Sequence, residues 1–240
     1  MKKVLTYLLT LFVLGSCSHS YYIPTTANVP LLKEKNELRA TLSGGGGGDI
    51  STVDFQGAYS VTNHFAVMTN FMSARGSDDD TNSSGSGNCF ELGAGYFTPL
   101  EKNGVFEIYG GFGFSNQQHT YNSGGRADLA FRKIFVQPSI GLSLNSFDLA
   151  FTPGFSSVSF HKVDNQLLST DVNFEEVDQI AKNNVSLLFE PALTIRAGWK
   201  HVKFQTQFGL ARNLSHPNLE FEEFKVNVGL TFSLAERYRD

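Results

Sequence analysis

The sequence predicts an all-β fold, an up-and-down antiparallel transmembrane β-barrel of about ten strands. Three observations predict it. From Glu37 onward, apolar and polar residues alternate with a period of two, the pattern of half-buried strands. The connections alternate between short turns and longer polar loops, as in barrels of the outer-membrane type. No run of about 18 apolar residues exists, which excludes a bundle of spanning helices. The hydrophobic content of 41% also excludes a disordered chain. A formal charge of −4 and a pI near 5.9 argue against nucleic acid as a partner. The 240 residues suit one barrel domain.

The chain opens with Lys2 and Lys3, then the apolar stretch VLTYLLTLFVL over 4–14. That length suits a signal-peptide core and is too short for a permanent span. Leu14-Gly15-Ser16-Cys17 follows. It resembles a bacterial lipobox, which implies cleavage before Cys17 and acylation of that residue by palmitate-type chains. The expected organisation is a lipoprotein signal peptide over 1–16, a lipidated extended tether over 17–36 and the barrel over 37–240. With Cys17 acylated, Cys89 has no intramolecular disulfide partner. No acidic cluster follows Cys17; in envelope lipoproteins of the Bacteroidetes type such a cluster resembles a surface-export signal. Its absence favours an anchor on the periplasmic side.

Ten strands are expected, at 37–43, 51–61, 65–75, 89–99, 104–116, 129–145, 147–162, 185–200, 202–214 and 221–234. An even count puts both ends of the barrel at the short-turn, periplasmic side. The lipid on Cys17 is expected at that same end. The long connections at 44–50, 76–88, 116–128 and 162–184 would then face outward. The last of these has a short helix signal over 172–183, with Asn173 as cap and Glu175 and Glu176 near its start.

One parity of the strands is oily. It carries Val53, Phe55 and Tyr59, then Phe90 and Leu92, then Phe112 and Phe114, and later Phe151, Leu193, Trp199, Val228 and Leu230. The other parity is small or polar. Its glycines include Gly93, Gly95, Gly111, Gly141 and Gly229. Its charges are Arg39, Asp54, Glu91, Glu107, Lys133, Asp148, Glu190, Arg196, Lys203 and Lys225. A narrow lumen needs small residues and paired charges, whereas a water-facing surface does not. The 22 phenylalanines would also overfill a ten-stranded interior. Tyr59, Phe106, Phe147, Trp199 and Phe232 fall near short-turn ends, where an aromatic belt is expected. The oily parity is therefore assigned to lipid and the ten charges to a lumen network without an open pore.

Motifs for catalysis or cofactors fail on context. The glycine run 44–48 is followed by a strand, so it reads as a flexible loop rather than a phosphate cradle. Asp78, Asp79 and Asp80 lack calcium-loop spacing, and no two histidines stand four residues apart as a zinc pair would. Neither a cofactor nor a metal is expected. His119, His161 and the acids of 162–184 are the only candidates for an omptin-like protease arrangement, and the omptin motifs are not matched residue by residue.

Tyr22, Pro24, Ala27-Asn28-Val29-Pro30-Leu31-Leu32, Lys35 and Glu37, with Asp54, Gln56-Gly57-Ala58-Tyr59-Ser60-Val61-Thr62, resemble small outer-membrane barrel proteins of the Bacteroidetes type. The resemblance implies an outer-membrane location and a barrel fold, and it transfers no catalytic residue. The leading expectation is a non-enzymatic outer-membrane barrel lipoprotein in contact with membrane lipid. A surface or envelope partner would bind through the loops 76–88, 116–128 and 162–184. The alternatives are a lipid-tethered soluble periplasmic barrel holding an apolar ligand, with its faces inverted, and an omptin-like envelope hydrolase.

Overall fold

A computed structural model describes residues 20–78, 83–219 and 221–238. Ten antiparallel strands close into one barrel: β1 (Leu38–Gly47), β2 (Ile50–Ser60), β3 (Phe65–Asp78), β4 (Ser83–Pro99), β5 (Gly104–Thr120), β6 (Arg126–Ser143), β7 (Phe147–Asn165), β8 (Val185–Gly198), β9 (Val202–Leu210) and β10 (Phe224–Leu234). Each strand pairs with its sequence neighbour, and β1 closes on β10 from Leu38–Leu234 to Gly46–Val226. The two-residue stretch Arg212–Asn213 continues β9 along β8. Closure leaves no free sheet edge, which a hydrocarbon environment demands of strands.

The expected core of every strand is present, but several strands run further than alternation indicated. The glycine run 44–48, read as a loop, is a correction. Gly44 to Gly47 lie within β1, paired with β2 and β10. A Cβ on Gly45 would strike the Val226 carbonyl and come within 2.7 Å of Asn227 Cα. Glycine here permits backbones to approach; Gly48, at φ +53°, makes the tight turn. Residues 76–78 and 83–88 likewise form a hairpin, with Gly76 opposite Gly85 and Asp78 opposite Ser83. β5 and β6 extend to Thr120 and Arg126. Beyond the apolar band neither face need be oily, so Ser, Gly and Asn replace the alternation while the backbone ladder continues.

The oily parity points outward. Ile134, Phe204 and Trp199 are 69%, 64% and 71% exposed. Val53, Phe55, Phe112, Phe151 and Val228 are also exposed. A soluble barrel would turn this face inward, so its inverted arrangement is not what is found. A continuous belt of exposed large apolar side chains is a solvent match for lipid tails, not water. Tyr59, Phe147, Trp199 and Phe232 sit exposed at the short-turn end, and Phe106 is half-buried. No described helix is long and apolar enough to cross a membrane. Between β7 and β8, the helix α1 (Phe174–Lys182) packs Val177 and Ile180 into an apolar cluster with Leu167 and Leu188. Asn173 stands at its start but makes no capping bond; its side-chain amide donates to Asp171 instead, at 3.1 Å.

The inward glycines receive large inward side chains. A Cβ on Gly95 would lie 2.5 Å from the Tyr109 ring, one on Gly111 2.7 Å from Phe135, and one on Gly141 3.0 Å from Leu31. At Gly209 the nearest atom would be 3.8 Å away. Gly95→Val is therefore expected to cost about 1–3 kcal/mol by overpacking, while Gly209→Ala stays near neutral. The temperature of the heat-modifiable gel transition checks both.

Candidate functional site

The lumen is not empty. Residues 20–36 run through it from one end to the other, in extended form. At the long-loop end Tyr22 forms a parallel bridge with Phe221, and Glu222 donates its backbone N–H to the Tyr22 carbonyl at 2.9 Å. At the short-turn end Lys33 donates to the Ser143 carbonyl at 2.5 Å, and the Asn36 N–H donates to Ser60 O. The segment expected to be a tether is thus extended but lies inside the barrel. It also enters the long-loop mouth, so the expectation that the N-terminal segment leaves at the short-turn end is corrected. β1 and β10 do begin and end there; the preceding segment turns back through the lumen.

The wall satisfies the segment's backbone with side chains rather than with a strand. Gln207 accepts from Ala27 N at 2.8 Å and donates to Ala27 O at 2.9 Å. Gln56 donates to Thr26 O at 2.7 Å, Gln137 to Asn28 O at 2.5 Å and Arg196 to Val29 O at 2.7 Å. Glu107 accepts from Leu31 N at 2.9 Å. An amide is suited to this task because it carries both a donor and an acceptor. Tyr21, Tyr22, Val29, Leu31 and Leu32 are at most 1% exposed. Leu32 packs with Met68, Phe97, Tyr109 and Phe135, and Val29 and Leu31 pack with Val105 and Ala150.

The ten charged positions read from the sequence all lie in this lumen; nine fall in three groups, and the tenth, Glu107, holds the Leu31 N–H. Nearest the short-turn end, Asp148 faces Lys203 at 2.6 Å, Arg39 at 3.2 Å and Arg196 at 3.7 Å. Arg39 also reaches Glu37 at 3.4 Å, and Arg237 closes that end on Glu37 at 2.6 Å. Burial opposes the Arg237 charge, but the Glu37 carboxylate outweighs it and holds the guanidinium above its ordinary range. In the second group Lys133 stands 3.2 Å from both Glu91 and Glu190. Thr25 donates to Glu91 at 2.8 Å and Tyr22 to Glu190 at 2.6 Å. In the third, Asp54 meets Lys225 at 3.0 Å, Asn227 at 2.9 Å and the Thr26 hydroxyl at 2.9 Å. The sequence suggested charges paired across a lumen with water between; instead the N-terminal segment contributes donors to Glu190, Glu91, Asp54 and Glu107, while Asp148 is met by Arg39, Arg196 and Lys203 of the wall.

Above Tyr22 the barrel opens into a vestibule. Its wall is largely Ser83, Gly85, Gly87, Ser115, Gln117 and His119, and its rim includes Arg75, Asp49 and Glu222. The His119 ring packs 5.2 Å from that of Tyr21, which in turn bonds Tyr121 and Glu176 at 3.1 and 3.2 Å. His119 is buried here, whereas His161 is the extra, exposed residue of a bulge in β7. The structure does not bring these two together. Among the described residues no group of three metal-ligating side chains is assembled, and Cys89 is buried with a free thiol. Cys17, Asp79 and Asp80 lie outside the described residues.

Sequence reasoning missed Gln56, Gln137 and Gln207 as receptors, and it missed the segment they hold. A signal was present: Tyr21, Tyr22, Val29, Leu31 and Leu32 are more apolar than a solvated tether requires.

No family model matches the chain, and no curated protein matches it. Solved structures do. The translocator domain of the autotransporter NalP from Neisseria meningitidis is 9% identical, with 96% of this chain and 95% of that one covered, at a TM-score of 0.48. The outer membrane protease OmpT from Escherichia coli is 9% identical, with 88% and 99% covered, at 0.44. Ail, the attachment invasion locus protein of Yersinia pestis, is 8% identical, with 83% and 99% covered, at 0.38. Likenesses of this degree transfer no activity and no residue.

Proposed function

We propose that this protein is a non-enzymatic outer-membrane barrel lipoprotein that binds a partner at its long-loop end. The lumen filled by residues 20–36 carries this reading. A barrel closed along its axis by its own chain serves as a mount, and its open cavity is the vestibule. That cavity is bordered by the hairpins of 76–88 and 116–128 and by Val172 and Asn173 of the 162–184 connection. The outward apolar band supports an outer-membrane location.

The lipid belongs to the same reading. Cys17 stands three positions before Ser20, a reach of about 10 Å. Ser20 lies at the long-loop mouth, within 3.4 Å of Glu222. An acyl group on Cys17 is then delivered to the outer leaflet rather than to the periplasmic side. Two measurements on whole cells test this. The mass of the N-terminal peptide is expected to carry acyl chains on Cys17; an unmodified thiol contradicts the lipoprotein. In a Cys89→Ser background, Ser20→Cys is expected to react with a membrane-impermeant maleimide on intact cells. Reaction only after the outer membrane is permeabilised contradicts the topology.

A further inference from the structure

Three prolines stand side by side in the barrel wall: Pro138 in β6, Pro153 in β7 and Pro191 in β8. The register of β6 on β7 runs Val136–Phe155 and then Ile140–Phe151, which sets Pro138 opposite Pro153; Pro153 pairs directly with Pro191. Proline brings no N–H to a ladder. Backbone groups of successive residues face alternate neighbours, so each proline weakens one side only. The pattern shows which. Pairing of β6 with β7 stops after Val136–Phe155 and resumes at Ile140–Phe151. Pairing of β8 along the next strand holds at Ala192–Gly209 and resumes at Phe189–Arg212, skipping Pro191 and Glu190 opposite Leu210 and Ala211. Between β7 and β8, where Pro153 meets Pro191, the register is unbroken. Both defects therefore flank one short panel, β7 with β8.

Depth matters. Pro153 lies six residues from Phe147 at the short-turn end, roughly 15 Å of height for a tilted strand, near the middle of the apolar band. Prolines are ordinarily confined to edges and bulges, and a missing ladder bond in hydrocarbon has no water to replace it. A small cavity of about 40 Å³ sits at this panel. It is lined from the lumen by Lys133, Glu190 and Thr25, and from the lipid side by Val136, Phe155 and Leu210. The last three are exposed on the outer face. Behind the panel, the Lys133 ammonium lies 5.7 Å from the Tyr22 ring and 5.9 Å from the Phe135 ring, so the chamber offers apolar surface as well as charge.

We propose that this panel is a lateral window through which an acyl chain of a bilayer lipid reaches the Lys133 chamber. The chain is favoured over a polar ligand because the outer approach is Val, Phe and Leu at hydrocarbon depth. The chamber's Glu91 and Glu190 are matched by Lys133 and Lys225, so it offers no net positive charge to an anionic head group. Ser139 and Thr152, joined hydroxyl to hydroxyl at 2.7 Å, span the β6–β7 defect on the lumen side.

Thr152→Cys and Ser139→Cys test the window in a Cys89→Ser background, in liposomes, with folding confirmed by heat-modifiable migration. Ser43→Cys is the control: it faces the lumen five residues from the start of β1, as Thr152 does in β7. The probes are a pyrene maleimide dissolved in the bilayer and a sulfonated maleimide in the water, with labelling read by peptide mass. The window predicts that the bilayer probe labels positions 139 and 152 several-fold faster than 43, and faster than the aqueous probe does. Adding Pro138→Val and Pro153→Val restores two ladder donors and should bring labelling down to the control rate. Equal rates at all three positions, preference for the aqueous probe, or labelling unmoved by the proline replacements would each overturn the window.

Discussion

Replacing residues 21–32 by a Gly/Ser segment of equal length is expected to turn a silent barrel into a conducting one. In planar bilayers the parent should show no steady current, and the replaced chain a steady open step. The reason is volumetric as well as chemical. Ten strands enclose little more than one layer of side chains, and this segment supplies much of that layer through Tyr21, Tyr22, Val29, Leu31 and Leu32. Stability should fall too. Each of those side chains contributes about 1.5–3 kcal/mol by burial, offset by about 1–2 kcal/mol per residue for ordering the backbone. The wall's receptors also lose their partners: Gln56, Gln137 and Gln207 would face open lumen. Water entering the lumen can satisfy these amides, so the barrel should still fold, with a lower transition temperature. A replaced chain that stays silent would show that other elements close the axis.

The second large effect is expected at Asp148. It is 1% exposed and is the anion shared by Arg39, Arg196 and Lys203. Asp148→Asn leaves three buried cations with one fewer counter-charge, at a cost of about 3–5 kcal/mol. Asp148→Asn combined with Lys203→Met removes one of those cations and should recover part of the loss. Their non-additivity is the coupling between the two groups, read as a difference in urea midpoints for the folded, heat-modifiable form. Lys203 also donates to Leu144 O at 2.6 Å, so recovery is incomplete. Additive losses would mean that the cluster is held by packing rather than by charge.

Much of this architecture is written in the sequence, and what was not legible has physical causes. The period of two places Phe55, Phe112 and Leu193 on lipid and Asp54, Glu107 and Arg196 inside, because in the apolar band every residue must choose a face. Beyond that band the choice lapses, which is why 44–47, 76–78 and 83–88 read as loops yet pair as strands. The inward aromatics Phe97, Tyr109 and Phe135 break the polar-in rule. Each is admitted by a packing partner across the lumen or by a glycine such as Gly95 or Gly111 that no local pattern links to it. The course of residues 20–36 was hidden for a related reason. A segment without hydrogen-bonded neighbours of its own kind has no period, and its anchors Gln137, Gln207 and Arg196 stand more than 100 residues away. Pro24 and Pro30 suit it, since such a segment makes no ladder.

The most direct test of the account is a disulfide between the luminal segment and the wall. Asn28 donates to Asn70 Oδ1 at 2.8 Å in the middle of the lumen. The double variant Asn28→Cys, Asn70→Cys, in a Cys89→Ser background and treated with a mild oxidant in outer-membrane vesicles, should form an intramolecular disulfide that changes migration on a non-reducing gel. Two thiols that remain separate, each open to a water-soluble maleimide, would contradict the passage of the N-terminal segment through the barrel.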